Sequence, residues 1–398
     1  MVLRSTIEAE AQGLASSTRV ADRDALNVEC LTTASELEQI ADEWRALFDR
    51  VPDALPFATY EWAAAWWANL RRGAGPLRDT LQLFVVRDGT GQAVAIAPMM
   101  HTSLRIAGIP VLRILQPIGA DPNLTEVRGM LVRGADEAAA FAALAQHVYA
   151  RGGQSWVQWC GARRESATLD TLRAIRPLAV NKETPAFVLA LAGSWDDFRK
   201  TFPRNLRESL RKCYNSLARD SHEWTLHVVD RPDEVPAAVE RLIELHGVRA
   251  SRTDTIRHRD CFDEPEARRF LHDVAARFAA CGVLRIFQLR IGSDVVATRM
   301  GFVFGDRMYL YYSGYDAAWG RYSVMTTVVA EALRYAIEAG ITSVNLSTGG
   351  DESKLRWRPT AVDYIDACSV AGGVYSRLMH RALDPDARAR LKRLATRG

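Results

Sequence analysis

Two similar hairpin patterns, one in each half of the chain, limit the fold of this sequence more than any other feature. Residues 83–100, LFVVRDGTGQAVAIAPMM, and residues 286–303, IFQLRIGSDVVATRMGFV, share an apolar run, an Arg-x-Gly turn, the pair Val-Ala and a second apolar run. Apolar runs separated by Gly, Asp and Ser are typical of β-hairpins. Helical patterns precede both hairpins and further α/β pattern follows each, which predicts two similarly built domains. The length of 398 residues agrees, because one hydrophobic core rarely serves so long a chain.

The predicted boundary between the two domains lies near residue 185, where the strand pattern PAFVLAL begins. The chain then divides into a flexible tail over 1–24, an N-terminal domain over 25–185, a C-terminal domain over 186–375 and a basic helical tail over 376–398. Both domains are expected to be α/β with mixed sheets, since helical and strand patterns alternate along each of them.

Composition describes an ordinary globular protein. Hydrophobic residues make up 48% and charged residues 25% of the chain, and a net charge of +3 argues neither for nor against a nucleic-acid partner. The six cysteines are scattered without a CxxC pair, and no signal-peptide pattern is present, so they are expected to be reduced thiols of a cytoplasmic protein. No apolar run reaches the roughly 18 residues that span a bilayer, so no transmembrane segment is expected.

Capping residues and proline predict where two helices begin and end. A helix over 35–48 begins after Thr33 or Ser35 as the N-cap. A second helical pattern begins at Ser194 and contains Pro203. Because proline removes a backbone donor and clashes with the preceding turn, that helix is expected to break or kink there.

The stretch 311–340, YYSGYDAAWGRYSVMTTVVAEALRYAIEAG, predicts a strand, a short loop and a helix in that order. Ser323 is the expected N-cap of the helix, and Gly340 ends it. Free N–H groups and the positive end of the helix dipole meet at this loop, and Arg321 stands beside them. Such a joint can hold a phosphate, although an ordinary strand-to-helix turn with an exposed arginine has the same pattern.

A basic helix follows Pro203 and carries Arg204, Arg207, Arg211 and Lys212. The stripe could contact an anionic substrate or a nucleic acid. Leucines mark an opposite apolar face and a glutamate interrupts the charges, so the same pattern fits a solvated helix face.

The sequence lacks the familiar short motifs of catalysis. It contains no GxSxG, HExxH, Walker or Rossmann fingerprint, and its eight histidines show no metal-ligand spacing, so no metal is expected. The informative features that remain are a three-strand meander, the strand-to-helix loop that can hold a phosphate, and a strand over 343–348 that is followed by GGDESKLRW. This order of elements is that of an acyl-CoA transferase.

The sequence resembles the GNAT-superfamily acetyltransferases of the CelD/BcsL type, which are associated with cellulose and exopolysaccharide biosynthesis and related to the tandem-domain Fem peptidoglycan ligases. The resemblance covers about residues 30–372 and is strongest over 311–357. Four segments carry it in order: PFATYEWAAAWW, RNLRESLRKCYNSLAR, YYSGYDAAWGRYSVMTTVVAEALRYAIEAG and NLSTGGDESKLRW. The resemblance implies two tandem GNAT-like (acyl-CoA N-acyltransferase) domains.

This sequence departs from the family pattern at three places. Val324-Met325 replaces Pro-Gly in the loop, Asn345-Leu346 replaces Asp-Phe, and Ser353 replaces the tyrosine before a lysine. The last change removes a phenol from the site.

The resemblance also implies which residues form the site. The polar groups that it places near the reacting atoms are Asp316, Asp351, Tyr315 and Lys354. The residues implied in cofactor binding, with the pyrophosphate at residues 320–325, are Ser313, Gly320, Arg321, Tyr322, Ser323 and Val324. The residues implied in substrate binding are Trp357, Arg204 and Trp62.

The implied activity is transfer of an acyl group, most simply acetyl, from acyl-CoA to an amine. The acceptor is expected to be a sugar or another small metabolite of polysaccharide or natural-product biosynthesis, with no DNA partner, and a homodimer is compatible with the pattern. Two alternatives stay open: a Fem-like ligase that takes its acyl group from aminoacyl-tRNA, and a non-catalytic scaffold of a biosynthetic complex.

Overall fold

The protein is described by a computed structural model over residues 25–121, 123–251 and 259–383. The tail predicted over 1–24 lies outside these ranges, as do residues 384–398 of the predicted basic tail. Within them, thirteen strands form one sheet. The strands are β1 Asn27–Leu31, β2 Leu77–Arg87, β3 Ala93–Ile106, β4 Ile109–Pro117, β5 Leu131–Val132, β6 Trp156–Arg163, β7 Ala179–Ala190, β8 Trp224–Val229, β9 Leu284–Ile291, β10 Asp294–Phe304, β11 Arg307–Tyr315, β12 Ser343–Thr348 and β13 Thr360–Val370.

Helices cover the sheet, and the described part of the chain also contains three short 3-10 helices, at 56–58, 134–136 and 317–322. The α-helices are α1 Ala34–Gln39, α2 Ala41–Phe48, α3 Tyr60–Asn69, α4 Glu137–Arg151, α5 Thr168–Ile175, α6 Trp195–Lys200, α7 Arg204–Arg219, α8 Val235–Ala250, α9 Pro265–Ala280, α10 Val324–Glu338, α11 Glu352–Leu355 and α12 Val374–Leu383. No α-helix in the described ranges is long and apolar enough to cross a bilayer.

The two halves of the sheet repeat one topology. The order is β1-β2-β3-β4-β6-β13-β7-β12-β11-β10-β9-β8, with β5 paired to β3. Each half is antiparallel except for one parallel pair, β4 with β6 and β11 with β12, which a helix connects. The hairpins β2–β3 and β9–β10 occupy equivalent places in their halves. The α/β fold with two similarly built halves, which the repeated hairpins predict, is confirmed.

The last strand of each half lies beside the other half. β13, at the end of the C-terminal half, pairs with β6 and β7, while β7 pairs with β12. The predicted boundary at residue 185 falls inside β7, so the chain crosses it as a paired strand. That the chain divides into two domains at residue 185 stays a prediction.

The aromatic helix α3 belongs to the core that joins the two halves. Trp62 is 1% exposed, and its ring lies 5.1 Å from that of Phe270 and 5.6 Å from that of Tyr311. Its indole Nε1 donates a hydrogen bond to Thr125 Oγ1 at 3.1 Å. Packing and this hydrogen bond explain why a tryptophan stands at this position. Because its side chain is buried, Trp62 has no exposed surface that could contact a substrate, as the resemblance implies for it.

The local helix signals act largely as predicted. Thr33 caps α1 in a capping box with Glu36, but the helix expected over 35–48 divides at Ile40 into α1 and α2. Ser194 caps α6, and Pro203 separates α6 from α7. Each of these signals acts within one helical turn, which is why the sequence alone reveals it.

Candidate active site

The parallel strands β11 and β12 part after a short pairing. They pair only over Arg307–Tyr309 and Ser343–Asn345, and both strands continue beyond these residues. The gap between them opens into a cavity of about 660 Å³, which we call the splay cavity. Its lining includes Leu310 and Leu346. This volume lies in the range of small-molecule sites.

A bulge in β12 directs that strand away from β11. Ser347 has φ of 77°, in the left-handed region, and the register with β7 shifts between Asn345 and Thr348. The Asn345 Oδ1 atom accepts a hydrogen bond from the Ser347 N–H at 2.8 Å. A side chain thus satisfies the backbone group that the bulge removes from the strand ladder.

The first turn of α10 faces the splay cavity. Gly320, Ser323, Val324, Met325 and Thr326 all line it. Ser323 stands at the N-cap as predicted, but with φ of 56° and no capping hydrogen bond from its side chain. The N–H groups of Val324 and Met325 find no acceptor within the described chain. Unpaired donors at a helix N-terminus attract an anion.

Arg321 turns away from the cavity instead of lining it. Its guanidinium lies 4.7 Å from the centre of the Tyr322 ring, and its Nη2 lies 2.5 Å from the Tyr322 hydroxyl oxygen. Tyr322 is buried and donates a hydrogen bond to Asp220 at 2.9 Å. Arg219 and this tyrosine lower the pKa of Asp220 to about 2. Arg321 and Tyr322 therefore anchor the loop to the end of α7, and neither is among the residues that line the cavity.

Four of the described cationic side chains line the splay cavity: Arg249, Arg299, Lys354 and Arg356. Arg356 Nη1 lies 3.5 Å from Thr326 Oγ1, which puts the guanidinium beside the first turn of α10. Here it occupies the place that sequence reasoning gave to Arg321. Its signal is its position in the segment GGDESKLRW, in which the resemblance implies Asp351, Lys354 and Trp357 as site residues but not the arginine.

Arg299 stands at an irregularity of β10 and places a positive charge at the base of the cavity. The register of β10 with β11 shifts between Arg299 and Gly301. The buried Nε of Arg299 has no hydrogen-bond partner among the described residues. Burial, and then repulsion from Arg249, lowers the pKa of Arg299 to about 10, so it is still charged at neutral pH.

Lys354 and Asp351 form a pair at the end of β12. Lys354 Nζ donates to the Thr348 carbonyl and lies 3.5 Å from Asp351 Oδ2. The lysine side chain is 14% exposed and that of the aspartate 45%, so the acid faces the mouth of the cavity. Burial, and then Arg299, lowers the pKa of Lys354. The two residues give the site an acid–base pair on one short turn.

Ser313 positions a cation rather than lining the cavity. It is buried, and its Oγ accepts a hydrogen bond from Arg249 Nη1 at 3.1 Å. His246 Nδ1 donates to the Ser313 carbonyl at 3.2 Å. Tyr315, two residues further along β11, does line the cavity. The end of β11 therefore supplies the phenol of Tyr315 to the cavity, and its Ser313 fixes the guanidinium of Arg249 by a hydrogen bond.

The residues that the resemblance implies divide into those that line the splay cavity and those that lie outside it. Asp316 accepts a hydrogen bond from the Ala318 N–H at 2.9 Å and caps the 3-10 helix. Arg204 pairs with Glu208 at 2.7 Å, and its side chain is 86% exposed. Trp357 is buried against Phe202. The implied residues that line the splay cavity are Tyr315, Gly320, Ser323, Val324, Asp351, Lys354 and Trp357, and those outside its lining are Ser313, Asp316, Arg321, Tyr322, Arg204 and Trp62.

No group of three or more His, Cys, Asp or Glu side chains is arranged to hold a metal ion in the described ranges. The chemistry that the described side chains offer is that of cations, two exposed acids, one phenol and free backbone donors.

Comparison with known proteins agrees with this architecture. Residues 204–355 match the family model described as the acetyltransferase (GNAT) domain. This range contains α10 and the lining of the splay cavity except Arg356 and Trp357. The match covers less than half of the chain. No curated protein matches the sequence. The C-terminal half thus carries a GNAT domain, and the N-terminal half repeats its strand order.

Solved structures extend the similarity to both halves. The chain is similar to the crystal structure of FemX, with a TM-score of 0.58 and 11% identity over 89% of this chain and 100% of that one. It is also similar to a conserved protein of unknown function from Bacteroides thetaiotaomicron, with a TM-score of 0.51 and 14% identity over 86% and 100% of the two chains. A tandem GNAT protein from the clavulanic acid biosynthesis pathway matches with a TM-score of 0.45 and 10% identity over 88% and 99%. The first two similarities show that this chain has the fold of those proteins.

Proposed function

We propose that this protein is an acyl-CoA-dependent N-acyltransferase that binds its donor in the splay cavity. The observation that carries the proposal is the junction itself. Two parallel strands part where the unpaired N–H groups of Val324 and Met325 and the guanidinium of Arg356 converge. A pyrophosphate needs this combination of helix dipole, backbone donors and a nearby cation.

The rest of the donor fits the gap between the strands. Beyond Tyr309 and Asn345 the facing edges of β11 and β12 do not pair with each other, so their backbone groups can bind a pantetheine amide. Leu310 and Leu346 give the same gap apolar walls. The thioester would then lie near the ends of the strands, beside Tyr315 and Lys354.

The acid–base pair on the turn after β12 suits direct transfer. Asp351 holds the acceptor's ammonium and takes one proton, and the free amine attacks the thioester carbonyl. The new N–C bond forms as the C–S bond breaks. Lys354 gives a proton to the departing thiolate and takes up the second proton that the nitrogen loses on becoming an amide, while the proton on Asp351 passes to water. A lysine with a lowered pKa is a better acid for this step than an unperturbed one. Arg299 stabilises the negative charge that develops on the carbonyl oxygen.

The acceptor is an amine of a sugar or of another small metabolite in polysaccharide or natural-product biosynthesis. This class follows from the CelD/BcsL-type motifs in the sequence. Asp351 and Glu352 at the mouth of the cavity are suited to attract a cationic amine.

A Fem-like ligase that uses aminoacyl-tRNA is the second candidate, and the FemX-like fold of the whole chain favours it. A tRNA donor would need the basic stripe of α7 to lead into the splay cavity. Arg207 and Arg211 instead line a separate groove, and only Asn205 of α7 reaches the cavity. The open volume of the cavity speaks against a purely non-catalytic scaffold.

Calorimetry and intact mass spectrometry together separate the three functions. The protein is titrated with acetyl-CoA and CoA, then incubated with a panel of acyl-CoAs and with aminosugar and small-amine acceptors. Binding with acylation of an acceptor is the expected result. Aminoacyl transfer from charged tRNA without CoA binding would establish the Fem-like function. If neither acyl-CoA nor charged tRNA binds and no transfer is detected, the scaffold role remains.

A further inference from the structure

A second cavity lies on the opposite side of α7 from the splay cavity. We call it the arginine groove; its volume is about 510 Å³, and its lining includes Trp195, Arg199, Arg207, Arg211, Trp224 and Arg334. It shares helices α7 and α10 with the splay cavity but no lining residue. The groove is therefore a separate recess, and nothing in the proposed transfer reaction uses it.

The carboxylates in the groove are already occupied. Glu331 accepts a hydrogen bond from the Tyr214 hydroxyl at 2.6 Å. Glu208 accepts from Arg204, which lies outside the groove, at 2.7 Å. Neither carboxylate forms an ion pair with Arg207 or Arg211 among the described residues, and the charge of Glu331 acts on Arg334.

Two arginines in the groove have no counter-charge. The guanidinium groups of Arg207 and Arg211 have no ion-pair or hydrogen-bond partner among the described residues, whereas Arg334 pairs with Glu338 at 2.9 Å. Arg207 and Arg211 stand four residues apart, so they are neighbours on one face of α7. Like charges at this spacing destabilise a helix slightly unless an anion lies between them. The groove thus presents two unneutralised guanidinium groups at one place.

Flat aromatic rings form the remaining walls. Trp195 stands at the start of α6, and Trp224 opens β8 with its ring 5.8 Å from that of Tyr214. All three side chains are only partly buried. Aromatic faces beside arginines are what stacks a nucleobase while its phosphate is neutralised.

We propose that the arginine groove binds a nucleotide, with Arg207 and Arg211 on the phosphate and Trp195 or Trp224 against the base. Its volume suits one nucleotide rather than a longer strand. The nucleotide can be free or the terminal residue of a single strand, because both present the same phosphate and base. The proposal is independent of the acyl-transfer function.

Fluorescence anisotropy with labelled AMP, labelled UMP and a short 5′-phosphorylated single-stranded RNA tests the proposal at fixed salt. Arg207→Gln and Arg211→Gln are each expected to weaken binding about tenfold or more, the effect of one lost charge-assisted hydrogen bond. Lys212→Gln removes the same charge from an exposed position of α7 outside the groove, and is expected to change binding less than about threefold. Equal losses in all three variants, or no binding of any probe, would overturn the proposal.

Further arms locate the site and identify its ligand. Trp195→Leu should weaken binding more than Trp195→Phe, which keeps an aromatic face, and thermal melting checks that both variants fold. Tight binding of the mononucleotides assigns a free nucleotide, and tight binding of the RNA alone assigns a strand end. Arg356→Ala should leave nucleotide affinity unchanged, because Arg356 lines only the splay cavity. Loss of nucleotide binding in this variant would assign it to the splay cavity and sink the proposal, whether or not the protein transfers acyl groups.

Discussion

Glu126, from the N-terminal half, accepts a hydrogen bond from the hydroxyl of Tyr309, in the C-terminal half, at the point where β11 and β12 part. The same carboxylate accepts from Ser347 Oγ at 2.7 Å and from the Thr348 N–H at 3.3 Å. Burial, and then Glu126, holds the pKa of Tyr309 well above its usual range, so the phenol is the donor. One loop of the N-terminal half thus fixes both strands that frame the splay cavity.

Replacing this carboxylate should loosen both halves together. Glu126→Gln keeps the shape but removes the charge, and is expected to lower the free energy of unfolding by about 1–3 kcal/mol, as for a hydrogen bond to a charged group. Tyr309→Phe removes one of the bonds and serves as the matched change. Urea unfolding of both single variants and the double variant gives their coupling energy. Strictly additive losses would mean that the contact contributes nothing to stability.

Arg356 rather than Arg321 is expected to bind the donor. Arg356→Ala should weaken acetyl-CoA binding by about 1.5–3 kcal/mol, because it removes a charge beside the unpaired N–H groups of α10. Arg321→Ala should leave the affinity unchanged, since that guanidinium rests on Tyr322. Calorimetry on both variants decides the matter, and a loss confined to Arg321→Ala would restore the assignment made from sequence.

Asp351 and Lys354 are expected to act in the chemical step. Asp351→Asn and Lys354→Met should fold normally and lower turnover by about 10²–10⁴-fold, the effect of a lost general base or acid. Asp316→Asn is the matched carboxylate change. Because Asp316 caps a 3-10 helix and asparagine is an equally good N-cap, this change should alter stability little and leave turnover intact. The opposite pattern in an acyl-transfer assay would make Asp316 the base.

Ser323 should respond to backbone geometry and not to loss of a cap. With φ of 56° and no capping hydrogen bond, Ser323→Ala is expected to change stability little. Ser323→Gly should stabilise the protein by about 1 kcal/mol, because glycine adopts the left-handed conformation without steric cost. A loss of about 1 kcal/mol in the alanine variant, measured by urea unfolding, would instead reveal a working cap.

His101, on β3, predicts a loss of stability in acid. Burial, and then Arg113 and Arg151, lowers its pKa from 6.5 to about 4. Between these values the unfolded chain binds the proton and the folded one does not, so stability is full above pH 6.5 and falls as the pH drops toward 4. His101→Gln should flatten this part of the curve in urea unfolding at a series of pH values. An unchanged slope would assign the acid sensitivity to other groups.

Local patterns in the sequence identified most of the elements around the site. The strand, loop and helix over 311–340, the break at Pro203 and the cap at Thr33 all depend on residues within a few positions of one another. The family resemblance, and not these local patterns, implied that Tyr315, Asp351 and Lys354 lie together, and all three line the splay cavity.

The sequence by itself therefore determined the repeated α/β plan, the helix starts and the residues that stand at the strand ends, since periodicity and capping are local. Only the tertiary structure decided that Glu126 crosses between the halves, that β13 pairs with β6, and that Arg356 faces the first turn of α10 while Arg321 does not. These features join residues far apart in sequence or depend on which way one side chain turns. Long-range packing determines these features, so no pattern within a few residues of the sequence predicts them.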